Sequence, residues 1–160
     1  IRDSDKDGNW VSKFGGPGKG EGTFATPHGI CVDRRSGKEL VAICDRAHHT
    51  LQFLDLKGNH KQTLTGYGLP ANLDTLEKLM LVPELHARIT LLNEKNEVVA
   101  RLGDDVESVV KKKSVHRGKS DTWKNGKFVH PHDACFAPNG DIYVAEWVQS
   151  GRITKLRKVS

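Results

Sequence analysis

Two stretches of the chain repeat each other at fixed points. Phe24-Ala25-Thr26-Pro27-His28-Gly29-Ile30-Cys31-Val32-Asp33 and Phe128-Val129-His130-Pro131-His132-Asp133-Ala134-Cys135-Phe136-Ala137 carry Phe, Pro, His and Cys at the same offsets. Each continues alike, with a Gly turn, an apolar run, an acidic residue and a second run ending in a Gly or basic turn. Such repetition restricts the chain to a modular fold whose units bury their apolar faces against one another.

The first unit reads as four short strands. Gly29–Asp33 is apolar, and Leu40–Cys44 is a continuous apolar run between turn clusters, the pattern of a buried strand. Leu51–Leu56 and His60–Leu64 follow, joined by the hairpin turn Lys57-Gly58-Asn59. The middle unit opens at Leu69–Asp74 and continues through Leu79–Glu84, Arg88–Leu92 and Glu97–Leu102. The last has Ala134–Ala137, Ile142–Glu146 and Arg152–Leu156 and stops one strand short. Near the start, Gly8–Phe14 reads as a turn and one strand. Four antiparallel strands per unit make a propeller blade. The fold class is therefore all-β, a β-propeller segment of three four-stranded blades over residues 1–160. A blade-closing strand falls at about 8–14, and blades at 24–64 and 69–102. An insertion at about 104–127 precedes a partial blade at 128–159.

Propellers close with about four to eight blades, so three blades leave open edges, which sheets avoid. Two closures are expected. Two copies could form a two-fold homodimer, each donating its N-terminal strand to the other's last blade to give a six-bladed ring. Otherwise the chain, which opens on Ile1 rather than Met, is half of a longer protein.

The pattern Phe-x-x-Pro-His-Gly-Ile-x-Val-Asp, followed by an apolar-Ala-x-x-Asp strand and Leu-Gln-Phe-x-Asp-x-x-Gly, resembles the NHL repeat. Within that group it is most similar to the six-bladed propellers of the peptidyl-α-hydroxyglycine α-amidating lyase family. The resemblance covers roughly residues 8–159 apart from the insertion. It implies that histidines after the inner-strand prolines bind zinc in the central channel, which points to His28 and His132. Ala71 holds that place in the middle unit, with Asn72 beside it. The family's tyrosine and arginine near the metal have no motif match here.

Apart from the family, both histidines follow a proline where an inner strand begins, and such points converge on a propeller axis. Imidazoles suit zinc, which takes N and S donors in tetrahedral geometry. Four protein ligands would close a structural site; fewer, with water, would leave a catalytic one. Zinc, or else calcium, is the expected ion, with no organic cofactor. Asp133 is a further ligand or a partner that fixes a histidine tautomer. His130 lies two residues before His132, on one face of an extended segment, and is the outside candidate for an extra ligand. Asp45, Glu84 and Glu146 recur after the second strands and read as turn acceptors or ion-pair partners of Arg46, Arg88 and Arg152 rather than a carboxylate ring.

The net charge of +5 is concentrated around Lys111–Lys113, Arg117 and Lys119. Without interleaved aromatics this run reads as a solvated, mobile loop, a lid or a dimer contact, not a nucleic-acid surface. Three cysteines make no disulfide framework. Cys31, Cys44 and Cys135 read as small apolar packers. No run reaches membrane-span length, so a soluble chain is expected, with export open if an upstream signal has been removed. No catalytic triad, phosphate loop or dinucleotide fingerprint is present. Two functions follow. One is a metal-dependent lyase or hydrolase acting on a small polar substrate at the channel. The other is a non-catalytic binding or scaffold module, with any metal structural, whose Tyr143, Trp147 or insertion captures a protein or ligand.

Overall fold

The computed structural model describes residues 1–159. Its strands are β1 (Arg2–Ser4), β2 (Trp10–Lys13), β3 (Pro27–Asp33), β4 (Leu40–Asp45), β5 (Thr50–Leu54), β6 (His60–Leu64), β7 (Asp74–Leu76), β8 (Leu79–Glu84), β9 (Arg88–Leu92), β10 (Val98–Leu102), β11 (Pro131–Phe136), β12 (Ile142–Glu146) and β13 (Arg152–Leu156). Consecutive strands pair antiparallel into sheets β3-β4-β5-β6, β7-β8-β9-β10 and β11-β12-β13, with a separate β1-β2 ribbon.

Alternation along the middle blade explains how the blades stack. Met80 and Val82 of β8 and Leu92 of β9 join Ala42, Cys44, Leu51 and Phe53 of the first blade in one core. Leu81 and Ile89, pointing the other way, join Phe128, Ala134, Ile142 and Val144 in another. Period-two geometry thus sends one strand's side chains to both neighbours. This is why the second strands carry unbroken apolar runs. Each such side chain contributes about 1.5–3 kcal/mol when fully buried. The two ends of the arc lack this cover. Ile153 is 72% exposed at one end and Trp10 59% at the other.

The N-terminal segment, read as one strand, folds as two. Its turn is a copy of the β5–β6 turn. The backbone N–H groups of Asp7 and Asn9 donate to Asp5 Oδ1 at 2.9 Å, as those of Lys57 and Asn59 do to Asp55 Oδ1 at 3.0 and 2.8 Å. This side-chain turn imposes a hairpin on Arg2–Ser4, a segment with no apolar residue to announce a strand. β1 and β2 therefore match the third and fourth strands of a blade.

The insertion is not a solvated loop. A π-helical turn, Glu107–Lys111, and a 3-10 turn, Ser120–Thr122, are tied down by Lys124 Nζ, 2.6 Å from Ser108 Oγ. Val109 and Val115 pack with Ala87, Val129 and Val148 in a cluster of their own. Lys111 and Lys112 pair with Glu107 on the same turn.

Candidate functional site

A repeated latch sets the start of each inner strand. The carboxylate that ends the second strand accepts the backbone N–H two residues before the proline. Ala25 donates to Asp45 Oδ1 at 2.8 Å and Val129 to Glu146 Oε1 at 2.7 Å, while Gly68 donates to Glu84. The next backbone N–H then returns to the carbonyl just before the proline: Arg46 to Thr26, Leu85 to Leu69, Trp147 to His130, at 3.2, 3.1 and 2.8 Å. Arg88 and Arg152 neutralise Glu84 and Glu146. Asp45 instead holds His48 at 2.7 Å and Gln52 at 3.1 Å, so Arg46 is not its partner. All three carboxylates are buried and serve the backbone, not the channel.

The latches of the first and last blades present two imidazoles to each other. The rings of His28 and His132 meet edge to face, centroids 5.0 Å apart and planes at 82°. With Gly29, Ala71, Asn72 and Asp133 they line a cavity of about 220 Å³. His28 Nδ1 lies 2.5 Å from the Ala71 carbonyl. A carbonyl only accepts, so Nδ1 carries a proton, and in the neutral ring the lone pair is on Nε2. Asn72 Nδ2 donates to Asp133 Oδ1 at 2.5 Å. Gly29 permits this approach, because a Cβ there would collide with the Asn72 backbone and sit 2.9 Å from the Ala71 oxygen. Burial, then the neighbouring His28 and Arg46, hold the His132 pKa below the ordinary histidine value against the pull of Asp133. The neutral ring it favours is the ligand form.

No known family profile matches the chain, and no curated protein matches it in sequence. Among solved structures, virginiamycin B lyase from Staphylococcus aureus superposes with a TM-score of 0.59 at 9% identity, over 98% of this chain and 47% of that one. This is a β-propeller. A calcium-binding protein, regucalcin from Agrobacterium tumefaciens, aligns with a TM-score of 0.48 and 12% identity over 82% of this chain and 43% of its own. The propeller segment thus spans about half the length of the structures it matches, in keeping with half of a ring.

Not every residue singled out in the sequence reaches this site. His130 lines a different cavity, with its Nδ1–H given to the Leu85 carbonyl at 2.6 Å. The register of β11 against β12 slips between Pro131 and Asp133, and this bulge breaks the rule that residues two apart share a face. Tyr143 lies on β12 beside Lys155, away from both cavities. Cys31 and Cys44 are packed, as their strands imply, but Cys135 is exposed because β11 belongs to the end blade. Arg35, hidden in a turn cluster, is buried against Asp33 and reaches the Asn93 carbonyl at 2.5 Å and Asn96 Oδ1 at 2.7 Å in the next blade.

The donor chemistry suits a metal ion in part. A histidine whose Nδ1–H is held by a backbone carbonyl is the usual arrangement of a zinc-ligating imidazole, and His28 has it. Yet among the described residues no three His, Cys, Asp or Glu side chains stand close enough to surround an ion. The propeller segment offers two imidazoles, not a complete shell. No helix among the described residues is long and apolar enough to cross a membrane.

Proposed function

We propose that His28 and His132 are two ligands of a zinc site on the propeller axis, and that the completed ring is a metal-dependent lyase or hydrolase for a small polar substrate. The observation that carries this is the meeting of two imidazoles from equivalent positions of separate blades, with Ala71 fixing the His28 tautomer. It accords with the resemblance to NHL-type amidating lyases and with a lyase on the same fold. Zinc bound there would supply Lewis-acid polarisation of a substrate oxygen. The chain's own groups would orient the substrate. Asn72 has a second amide N–H to donate, and Asp133 Oδ2 is free to accept a proton or a substrate N–H, since its Oδ1 is taken by Asn72 and Ala134. The remaining ligands come from the other half of the ring.

Ring closure follows either expected route. A second copy would lay its β2 beside β13 as the missing fourth strand. Its β1 would have to peel away, because β13 already fills the third place. The rest of a longer chain would instead add one strand at β13 and two at β1.

Native mass spectrometry of chelator-free protein, with His28→Ala, His132→Ala as control, tests the reading. Expected is a complex of about twice 17.7 kDa or a larger one, holding zinc that the double variant lacks. A complete ring without metal, equally stable with and without EDTA, would sink the enzyme reading. It would leave the non-catalytic scaffold module.

A further inference from the structure

A second cavity shares no lining residue with the His28–His132 site. Its volume is about 440 Å³, inside the range of pockets that hold small organic ligands, roughly 300–1,000 Å³. The insertion forms one wall, anchored by its own valine cluster. Leu69, Leu85 and Trp147 form an apolar wall on the blades.

Its charged side chains are both cationic. Lys113 and Arg117 enter from the insertion, the imidazoles of His86, His116 and His130 complete the polar lining, and no Asp or Glu lines the space. Elsewhere on the insertion, Lys111, Lys112 and Lys124 are matched by Glu107 or Asp105, while Lys127 gives its ammonium to the Asp104 carbonyl. Among the described residues Lys113 and Arg117 have no such carboxylate. The Arg117 guanidinium instead stacks on Trp147, Cζ 3.4 Å from the ring centroid, which orients its planar fork beside the apolar wall. An unmatched, pre-oriented guanidinium with a lysine on the same cavity lining suits a carboxylate. The apolar wall suits a ligand whose other end is hydrocarbon.

We propose that this cavity binds a small organic carboxylate with an apolar body, its charge clamped by Arg117 and Lys113 and its body seated on Trp147, Leu69 and Leu85. The site is independent of the axial metal.

Titration calorimetry with 1-naphthoate and its neutral counterpart 1-naphthalenemethanol, in EDTA, tests this. The acid is expected to bind about tenfold or more tightly than the alcohol, in the range of a charge-assisted hydrogen bond. Lys113→Gln, Arg117→Gln is expected to lose that advantage while binding the alcohol as before, and Trp147→Ala to weaken both. The double variant removes no ion pair and gives up only the Arg117–Trp147 stack, so it is expected to stay folded with a slightly lower unfolding midpoint, and it decides the matter even if Trp147→Ala folds poorly. Equal binding of acid and alcohol, no heat at about 5 mM acid, or an unchanged double variant would overturn the proposal. Because EDTA is present, none of these outcomes bears on the zinc reading.

Discussion

Arg35 and Asp33 form an ion pair sealed between two blades, Nε to Oδ1 at 2.8 Å, with side chains only 1% and 5% exposed. The same guanidinium spans to the turn of the middle blade through Asn93 and Asn96. Truncating one member of a buried pair strands the other's charge, at a cost of about 3–5 kcal/mol. Arg35→Ala is expected to lower stability by that amount in urea unfolding. Arg35→Ala combined with Asp33→Ala should cost less than the sum of the two single changes. Full additivity would mean the two residues act separately.

The latch couples stability to the site. Glu146 accepts from Val129 and is paired with Arg152, and its backbone lock ends at His130, two residues from His132. Glu146→Ala leaves the buried Val129 N–H unmet and takes the carboxylate from Arg152, which stays partly exposed and bonded to the Lys127 carbonyl, a cost of about 1–3 kcal/mol. It should also weaken zinc binding by moving His132. Glu146→Gln keeps the acceptor for Val129 and should recover part of the zinc affinity. Zinc titrations of both variants at a temperature where each is folded would show whether the latch reaches the site.

Acid should act through two histidines. Burial holds His132 and His86 below their ordinary pKa. The unfolded chain, whose histidines titrate near pH 6.5, therefore binds more protons than the folded one. Their contribution is fully present above about pH 6.5 and is lost as pH falls through the lower folded values. Urea midpoints are expected to drop between about pH 7.5 and 5.5. His86→Gln with His132→Gln should flatten that slope, and an equal slope in the variant would assign the acid response elsewhere.

The three thiols should separate by reagent access. Cys135 is exposed. Burial pushes the Cys31 thiol up to about 11 and the Cys44 thiol higher still, which suppresses the reactive thiolate. Peptide mapping after brief iodoacetamide treatment at neutral pH is expected to find Cys135 alkylated, Cys31 slowly so, and Cys44 only after denaturation. Rapid labelling of Cys44 in folded protein would contradict its placement at the blade interface.

The fold was legible wherever one residue type had one job. Apolar runs such as Leu40–Cys44 and Leu79–Val82 announce second strands because both faces are covered. The repeated prolines set the phase that brings His28 to His132. The rest depends on what a chain cannot show locally. Two partners of Arg35, Asn93 and Asn96, lie in another blade, so nothing local marks the residue as buried. A bulge at Pro131 separates His130 from His132. A side-chain turn, not apolar content, makes β1 a strand. The valines that anchor the insertion are scattered through a basic run that masks them.

Each blade closes its latch with its own carboxylate and its own backbone. The residue after the latch is therefore held in place by main chain alone, whatever side chain it carries. In the three blades that residue is Arg46, Leu85 and Trp147, which have no chemistry in common. A gene duplication that copied one blade would copy a loop already shaped, and drift could then rewrite that side chain, exposed as Trp147 and buried as Leu85, without loosening the sheet beneath. Each blade can therefore change what it presents after its latch one position at a time.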